Sequence, residues 1–176
     1  MEITTNRLYI RRANQSDVLH IRELNNNNNV SDFLGSIPEE DRAEAFRDSE
    51  AVEKLFALME NNFDAPDDIF YGAWENDALI GFIAIVNPKS DKPGIQIEIA
   101  PTYHHRGYGC EFLSALLKYL FATESFSYIQ YLVMPTNAAS IALVEKVGGV
   151  LQEPESFIEK LLIRVYHITK QGLSVE

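Results

Sequence analysis

Residues 94–113 read "GIQIEIAPTYHHRGYGCEFL" and contain the corner on which the predicted fold depends. The stretch begins with strict alternation, which places Ile95, Ile97 and Ile99 on one face of a predicted strand and Glu98 on the other. It ends in the first turn of a predicted helix, and two histidines and two glycines lie between the two elements. A strand that runs through such a corner into an apolar helix indicates a sheet with that helix packed against one face.

The corner itself is suited to an anion. The first N–H groups of a helix have no intrahelical partner, and the helix dipole adds positive charge at the same end. Gly107 and Gly109 would let a phosphate approach the backbone without a Cβ in the way. Alternatively, the two glycines only permit a tight turn, and both interpretations stay open on this pattern alone. Phe112 replaces the third glycine of a dinucleotide fold, and a Walker A Lys-Ser/Thr is missing, so neither common nucleotide loop is indicated.

The rest of the chain supplies the elements around this corner. Period-two patterns and apolar runs predict strands over 6–12, 69–75, 78–86, 94–100, 127–134 and 157–169. Helical spacing predicts helices over 14–24, 39–61, 110–121 and 137–149. We therefore expect an α/β (α+β) fold with one mixed, mostly antiparallel sheet of six to seven strands and about four flanking helices, in a single domain over residues 1–176.

Bulk composition narrows the class of protein. The 176 residues are 46% apolar, which suffices for one sizeable core. Cys110 is the single cysteine, so no intramolecular disulfide can form and a reducing cytoplasmic location is expected. No stretch approaches the roughly 18 uninterrupted apolar residues of a membrane span, so we expect no membrane partner.

The net charge of the chain also restricts its possible binding partners. The net charge of −11 argues against nucleic acid as a partner, since a phosphate backbone is repelled. Much of this charge lies between Glu39 and Asp68, where eleven acidic and three basic residues give a local charge of −8. Such a segment is either a solvated face or an acidic rim that attracts a cationic amine.

Two motifs in order resemble the Gcn5-related N-acetyltransferases, the GNAT family, in the branch of ribosomal-protein N-terminal acetyltransferases (RimJ/RimL-like) and spermidine acetyltransferases. That family has Gln/Arg-x-x-Gly-x-Gly/Ala after its fourth strand, and here the frame falls on 104–109. Its Asn-x-x-Ser/Ala-x-x-Leu falls on Asn137, Ser140 and Leu143. The opening "TTNRLYIRRANQSD" is similar to the first strand of that branch, and the resemblance extends over nearly the whole chain.

The resemblance implies an acyl-CoA N-acyltransferase fold in which strands four and five splay apart and the pantetheine arm of acetyl-CoA lies in the gap. An N–H near Ile99 would then polarise the thioester carbonyl, and the amides of 106–109 would bind the pyrophosphate. No metal is implied. The implied binding residues are Ile99, Ala100, Pro101, His104, His105, Arg106, Gly107, Tyr108, Gly109, Asn137 and Ser140.

The chain departs from the family pattern at three places. His104 replaces the usual Gln or Arg and cannot offer a fork of donors, so we expect phosphate binding to depend more on Arg106. Val144 replaces the tyrosine found in many relatives, which removes a phenol acid from that helix. Gly148 and Gly149 replace a Gly-Phe pair, which predicts looser packing there.

Two residues are candidates for moving protons. An amine attacks only when neutral, and its pKa near 10 means that a base must accept a proton at neutral pH. Glu98 is the first candidate, and the alternative is a solvated or paired strand carboxylate. Ser140 is a candidate acid for the departing thiolate, and the alternative is a capping or cofactor-contacting role. A covalent mechanism through Cys110 is disfavoured because no partner histidine can be identified.

We therefore expect an enzyme that transfers acetyl from acetyl-CoA to a primary amine by direct attack in a ternary complex. The acceptor would be a protein amino terminus, a polyamine or another small cationic amine, bound near residues 25–40 and 150–157. A non-catalytic CoA-binding regulator of the same fold is the alternative, and the strand order disfavours an NAD oxidoreductase. The long apolar last strand is a candidate contact for a homodimer.

Overall fold

The computed structural model describes residues 1–27, 57, 68–124, 126–158 and 161–173. These residues contain eight strands and three longer helices. The strands are β1 (Glu2–Thr4), β2 (Tyr9–Arg12), β3 (Ile69–Glu75), β4 (Ala78–Val86), β5 (Gly94–Ile99), β6 (Ile129–Val133), β7 (Val150–Ile158) and β8 (Leu161–Ile168). The helices are α1 (Val18–Asn27), α2 (Tyr108–Thr123) and α3 (Ala138–Lys146). The predicted helix over 39–61 lies outside the described residues apart from Ala57.

All strands belong to one sheet in the order β1-β2-β3-β4-β5-β6-β8-β7. Every neighbouring pair is antiparallel except β5 and β6, which are parallel. The predicted mixed, mostly antiparallel sheet with flanking helices is therefore confirmed. Within the described residues, no helix is long and apolar enough to cross a membrane.

The strand count differs from the predicted six to seven for two reasons. Residues 2–4 form an additional short strand, which turns into β2 where the amide of Thr5 donates to the carbonyl of Leu8 at 2.9 Å. The predicted single strand over 157–169 is wrong, because β7 and β8 pair as an antiparallel hairpin. No Gly, Asn or Asp marks that turn in the sequence, and Pro154 argued against a strand before it. The predicted homodimer contact through this segment stays a prediction.

Two apolar cores lie on the two faces of the sheet. On one face, α2 packs Phe112, Leu113, Leu116 and Leu117 against sheet residues such as Ile95. Each such side chain contributes about 1.5–3 kcal/mol when it is fully removed from water. On the other face, Val18, Ile21 and Leu24 of α1 pack against Phe70, Phe82 and Ala84. Successive side chains along β4 and β5 therefore point alternately to the two faces and belong to different cores.

The end of α3 is packed more tightly than the sequence predicts. Gly148 has a φ of +92° and its amide donates to Glu145, so it closes the helix in the left-handed conformation. A Cβ at Gly148 would lie 1.7 Å from the carbonyl oxygen of Gly172, and one at Gly149 would lie 2.6 Å from Val144. The expected loose packing is therefore wrong, because backbone and side chain fill the space that a Phe would occupy.

The parallel strands β5 and β6 separate soon after they meet. They pair only at Gly94 with Gln130 and at Ile95 with Tyr131, although β5 continues to Ile99 and β6 to Val133. This separation is the predicted splay of strands four and five. The numbers differ because the sequence-based prediction did not include β1, so its fourth and fifth strands are β5 and β6. It opens a gap in the middle of the sheet, and the candidate site residues lie around this gap.

Candidate active site

Within the part of the chain that the structure describes, the backbone of β5 presents groups to this gap that are not bonded to a neighbouring strand. The amide of Ala100 donates to the carbonyl of Ile80 at 2.8 Å, and Glu98 lies opposite Phe82 in the same antiparallel ladder. Bonded and non-bonded pairs alternate in such a ladder, so the main-chain groups of Ile97 and Ile99 point away from β4. Because β6 has already diverged there, these groups face the gap.

The two residues that follow β5 use their own main-chain groups locally. The carbonyl of Ala100 accepts from the amide of Tyr103 at 2.9 Å, in addition to the bond that its amide donates. Pro101 has no N–H, and its carbonyl accepts from the amide of His104 at 3.1 Å. Ala100 and Pro101 therefore lie beside the gap, but the amide of Ala100 is bonded to β4 and the carbonyls of both residues are bonded within the turn.

His104 lies next to the same opening. Its Nε2 is 2.7 Å from the carbonyl oxygen of Ile99, so the ring is a donor to that carbonyl in the tautomer that carries a proton on Nε2. This contact occupies the carbonyl of Ile99 and leaves the amide of Ile99 facing the gap. The ring of His105 is 6.2 Å from that of His104, and both side chains are exposed.

The turn from 104 to 107 uses two residues in the left-handed region. His105 has a φ of +56° and Gly107 a φ of +83°, and Gly107 is the N-cap of α2. Gly107 has no side chain to cap the helix. The first amides of α2, at Tyr108, Gly109 and Cys110, therefore have no side-chain acceptor at the N-cap. A helix start with free amides is a candidate anion site. A Cβ added at Gly109 would lie 3.6 Å from the side chains of Ile99 and Leu143, which is ordinary van der Waals contact.

Arg7 fixes this turn from outside the motif. Its Nη1 donates to the carbonyl of Arg106 at 3.0 Å, and its Nε donates to Glu111 at 2.7 Å. Its guanidinium also lies 3.9 Å from the centre of the Tyr108 ring. Thr5 donates to the same Glu111 carboxylate at 2.5 Å. The turn that follows β1 is thus tied to the first turn of α2.

The charge balance of this cluster follows from these bonds. Burial alone would raise the pKa of the Glu111 carboxyl, but the hydrogen bonds from Thr5 and Arg7 outweigh burial and leave that pKa below its ordinary value. Glu111 is therefore ionised at neutral pH and neutralises Arg7. The exposed Arg106 remains near the turn, with its guanidinium 5.4 Å from the Tyr108 ring and Nη1 3.4 Å from the carbonyl of Thr102.

Tyr108 contributes its backbone rather than its side chain to the turn. The ring is buried in the core, packs edge-on against Tyr103 at 5.1 Å, and directs its hydroxyl to the Glu75 carboxylate. A hydroxyl in that position cannot reach a ligand at the helix start. Only the amide of Tyr108 is left as a candidate contact.

The two predicted catalytic residues lie on opposite faces of the sheet beside the gap. Glu98 is half-buried opposite Phe82, which belongs to the core on the α1 face. Ser140 is half-buried on α3, whose Val144 belongs to the core on the other face. A group lying in the gap between β5 and β6 would therefore have Glu98 on one side and Ser140 on the other.

Asn137 begins α3 as its N-cap. Its Oδ1 accepts from the amide of Ser140 at 3.0 Å, so this oxygen is used to stabilise the helix start. The Nδ2 amide of Asn137 remains exposed as the donor for any ligand contact. The Ser140 hydroxyl lies 2.7 Å from the Tyr131 hydroxyl, a contact between α3 and β6.

Two residues of this candidate site, Arg7 and Tyr131, could not be predicted from the sequence. Arg7 was assigned only to a predicted strand over 6–12, and nothing in its local pattern shows that it reaches residues about a hundred positions away. Tyr131 reads as an ordinary inward strand residue, because it alternates with exposed Leu132. The available signal for Arg7 was its position in the opening segment that carries the family resemblance.

We predict that Arg7→Ala weakens CoA binding about five- to tenfold, because the turn loses the bond to the Arg106 carbonyl and the packing on Tyr108. Isothermal titration calorimetry with CoA measures the effect. Arg7→Lys is expected not to restore binding, because an ammonium lacks the planar fork. Arg12→Ala, which removes an exposed cation from β2, is the control for the loss of charge. Equal weakening in both alanine variants would contradict a specific role of Arg7.

Comparison with known proteins agrees with this geometry. Residues 7–150 match the family model described as an acetyltransferase (GNAT) domain. No curated protein sequence matches the chain.

Solved structures share the fold at low sequence identity. A mutant spermidine N-acetyltransferase SpeG from Vibrio cholerae is 21% identical with a TM-score of 0.69, over 94% of this chain and 95% of that chain. The ribosomal-protein-S5-alanine acetyltransferase from Vibrio fischeri is 12% identical with a TM-score of 0.69, over 99% and 100%. A dodecameric structure of the spermidine N-acetyltransferase from Vibrio cholerae is 20% identical with a TM-score of 0.68, over 95% and 96%. At these identities the structures show a common fold, and the family match decides the identity: this chain belongs to the GNAT acetyltransferase family and is an acetyl-CoA-dependent N-acetyltransferase.

Proposed function

We propose that this protein transfers acetyl from acetyl-CoA to a cationic primary amine by direct attack in a ternary complex. The observation that carries the proposal is the gap between β5 and β6, which the main chain of Ile97 and the amide of Ile99 face beside the Gly107 turn. An extended pantetheine arm fits such a gap as an added strand, and a diphosphate fits the helix start.

The cofactor contacts then divide between the two parts of the site. The amide of Ile99 and the main chain of Ile97 pair with pantetheine. Ile97 takes the place of Ala100 and Pro101, whose main-chain groups are bonded to β4 or within the turn. The amides of 106–109 receive the pyrophosphate, and the exposed side chains of His105 and Arg106 add donors at its rim. His104 fixes the end of β5 through the carbonyl of Ile99. The Nδ2 of Asn137 donates to the pantetheine arm.

Glu98 accepts the proton of the attacking amine, directly or through a water molecule. Its position on the α1 face leaves it on one side of the gap, and the amine approaches the thioester from that side. The carboxylate is the required acceptor because the amine is almost entirely protonated at neutral pH. Ser140 lies on the opposite side, where the sulfur leaves.

The acceptor is proposed to be cationic from charge placement. The acidic segment between residues 39 and 68 has a net charge of −8 and adjoins the predicted acceptor region 25–40, with which it shares residues 39 and 40. Both lie almost entirely outside the described residues. The similar structures are named as spermidine and ribosomal-protein acetyltransferases, whose named substrates include a polyamine. Spermidine and a basic amino-terminal peptide are therefore the first acceptors to test.

The test is acetyl-CoA consumption with spermidine, a basic amino-terminal peptide and a neutral amine such as benzylamine. We expect turnover on a cationic acceptor and an acceptor KM that rises severalfold between about 50 and 300 mM salt, because screening weakens attraction to acidic residues. An acceptor KM that does not respond to salt would contradict the cationic preference. CoA binding without turnover on any amine would favour a CoA-binding regulator instead.

A further inference from the structure

We propose that Tyr131 is a positioning residue that orients the Ser140 hydroxyl toward the departing sulfur of CoA; this inference rests on the proposed function. The phenol would do so from β6, the strand that forms the far wall of the gap. The helix α3 contains no tyrosine, so the acid side of this site has no phenol on α3. In the structure, the phenol next to Ser140 is that of Tyr131, which comes from the sheet.

Tyr131 lies at the place where the gap opens. It pairs with Ile95, which is the last position at which β5 and β6 are bonded to each other. The side chain is only 3% exposed and belongs to the core on the α2 face, yet its hydroxyl reaches Ser140 at 2.7 Å. Ser140 itself is half-buried, so it lies between the core and the gap.

Either hydroxyl of the 2.7 Å contact between Tyr131 and Ser140 is able to donate, and the proposed arrangement has the phenol as the donor. Burial raises the pKa of Tyr131, the hydrogen bond with Ser140 lowers it by less than burial raises it, and the negative charge of Glu98 adds the smallest raising effect. The phenol is therefore protonated at neutral pH, and a buried phenol O–H needs an acceptor. In the proposed arrangement Ser140 Oγ is that acceptor, which leaves the proton of Ser140 free to point away from the core.

The chemistry assigns a limited role to Ser140. The amine nitrogen forms a bond to the acetyl carbon, the carbon–sulfur bond breaks, and the electron pair stays on sulfur while Glu98 takes the amine proton. A serine hydroxyl is a much weaker acid than a thiol, so Ser140 donates a hydrogen bond to the developing thiolate rather than giving up its proton. The bond from Tyr131 strengthens this donor, since linked hydrogen bonds polarise one another.

Two single variants and their combination test this arrangement. We expect Tyr131→Phe to lower kcat about five- to tenfold and to leave the KM for acetyl-CoA within twofold. Ser140→Ala is expected to lower kcat by at least as much, and the double variant no further than Ser140→Ala alone. Ser140→Thr, which keeps a hydroxyl, is expected to recover most of the rate.

Tyr166 offers a matched control. It pairs with Tyr131 across β6 and β8, is 1% exposed, and donates its hydroxyl to Glu145 of α3 at 3.0 Å. Tyr166→Phe therefore removes the same atom from the same core without touching Ser140. We expect both Phe variants to lower the melting temperature by a similar amount, and only Tyr131→Phe to lower kcat.

The outcomes separate this inference from the proposed function. Equal kcat in the two Phe variants, or a double variant whose loss is the product of the single losses, would overturn the role of Tyr131 alone. A wild-type protein that consumes no acetyl-CoA with any amine would overturn the proposed function and this inference together.

Discussion

Replacing Glu98 with Gln is expected to lower kcat by about two to three orders of magnitude at pH 7, while the KM for acetyl-CoA stays within about threefold. Gln keeps the size of the side chain and can still donate or accept a hydrogen bond, but it cannot take a proton. Glu98 lies on the face of β5 opposite the isoleucines, so its loss leaves the gap between β5 and β6 intact.

The pH dependence of the variant distinguishes a base from a structural carboxylate. An amine with a pKa near 10 becomes about a hundredfold more abundant in its neutral form between pH 7 and pH 9. If Glu98 is the base, the deficit of Glu98→Gln shrinks by at least tenfold over this range. Glu124→Gln, at the exposed end of α2, makes the same chemical change away from the site and is the control. A deficit that is constant with pH would indicate that Glu98 acts only through packing or charge.

Replacing Gly107 with Ala is expected to weaken CoA binding about ten- to thirtyfold. Gly107 has a φ of +83°, where a residue with a Cβ is strained by about 1–2 kcal/mol, and the turn would relax into another conformation. The amides of 106–109 would then no longer converge on one anion. Calorimetric titration with CoA gives the dissociation constant directly.

The control for this variant is Gly94→Ala, at the start of β5. A Cβ at Gly94 would lie 3.7 Å from Val86, an ordinary contact, and Gly94 has no positive φ. We expect its CoA affinity to be within twofold of wild type. Measuring the affinity of Gly107→Ala for 3′-dephospho-CoA and for pantetheine shows which part of CoA accounts for the loss of affinity, because pantetheine lacks the diphosphate. Equal weakening for pantetheine and CoA would argue against a diphosphate site at this turn.

The sequence predicted the elements whose patterns are local and strongly periodic. The alternation of Ile95, Ile97 and Ile99 and the apolar spacing of Phe112, Leu113 and Leu116 describe β5 and α2 as the structure has them. Where the signal was short or was interrupted by a proline, as at β1 and β7, the prediction failed. These strands exist because β2 and β8 provide partners for them, and a partner is not visible in a local pattern.

By itself the sequence determined the family and the glycine turn, since both depend on residue types at fixed spacing along one stretch of chain. Only the tertiary structure decided what surrounds that turn. Arg7 reaches the Arg106 carbonyl and Tyr131 reaches Ser140 because sheet order and helix packing bring distant segments together. Likewise, the register of β4 with β5 decides that the main chains of Ile97 and Ile99, rather than that of Ala100, face the gap. The spacing of residues along the chain does not indicate such contacts, because they depend on the packing of all the elements together.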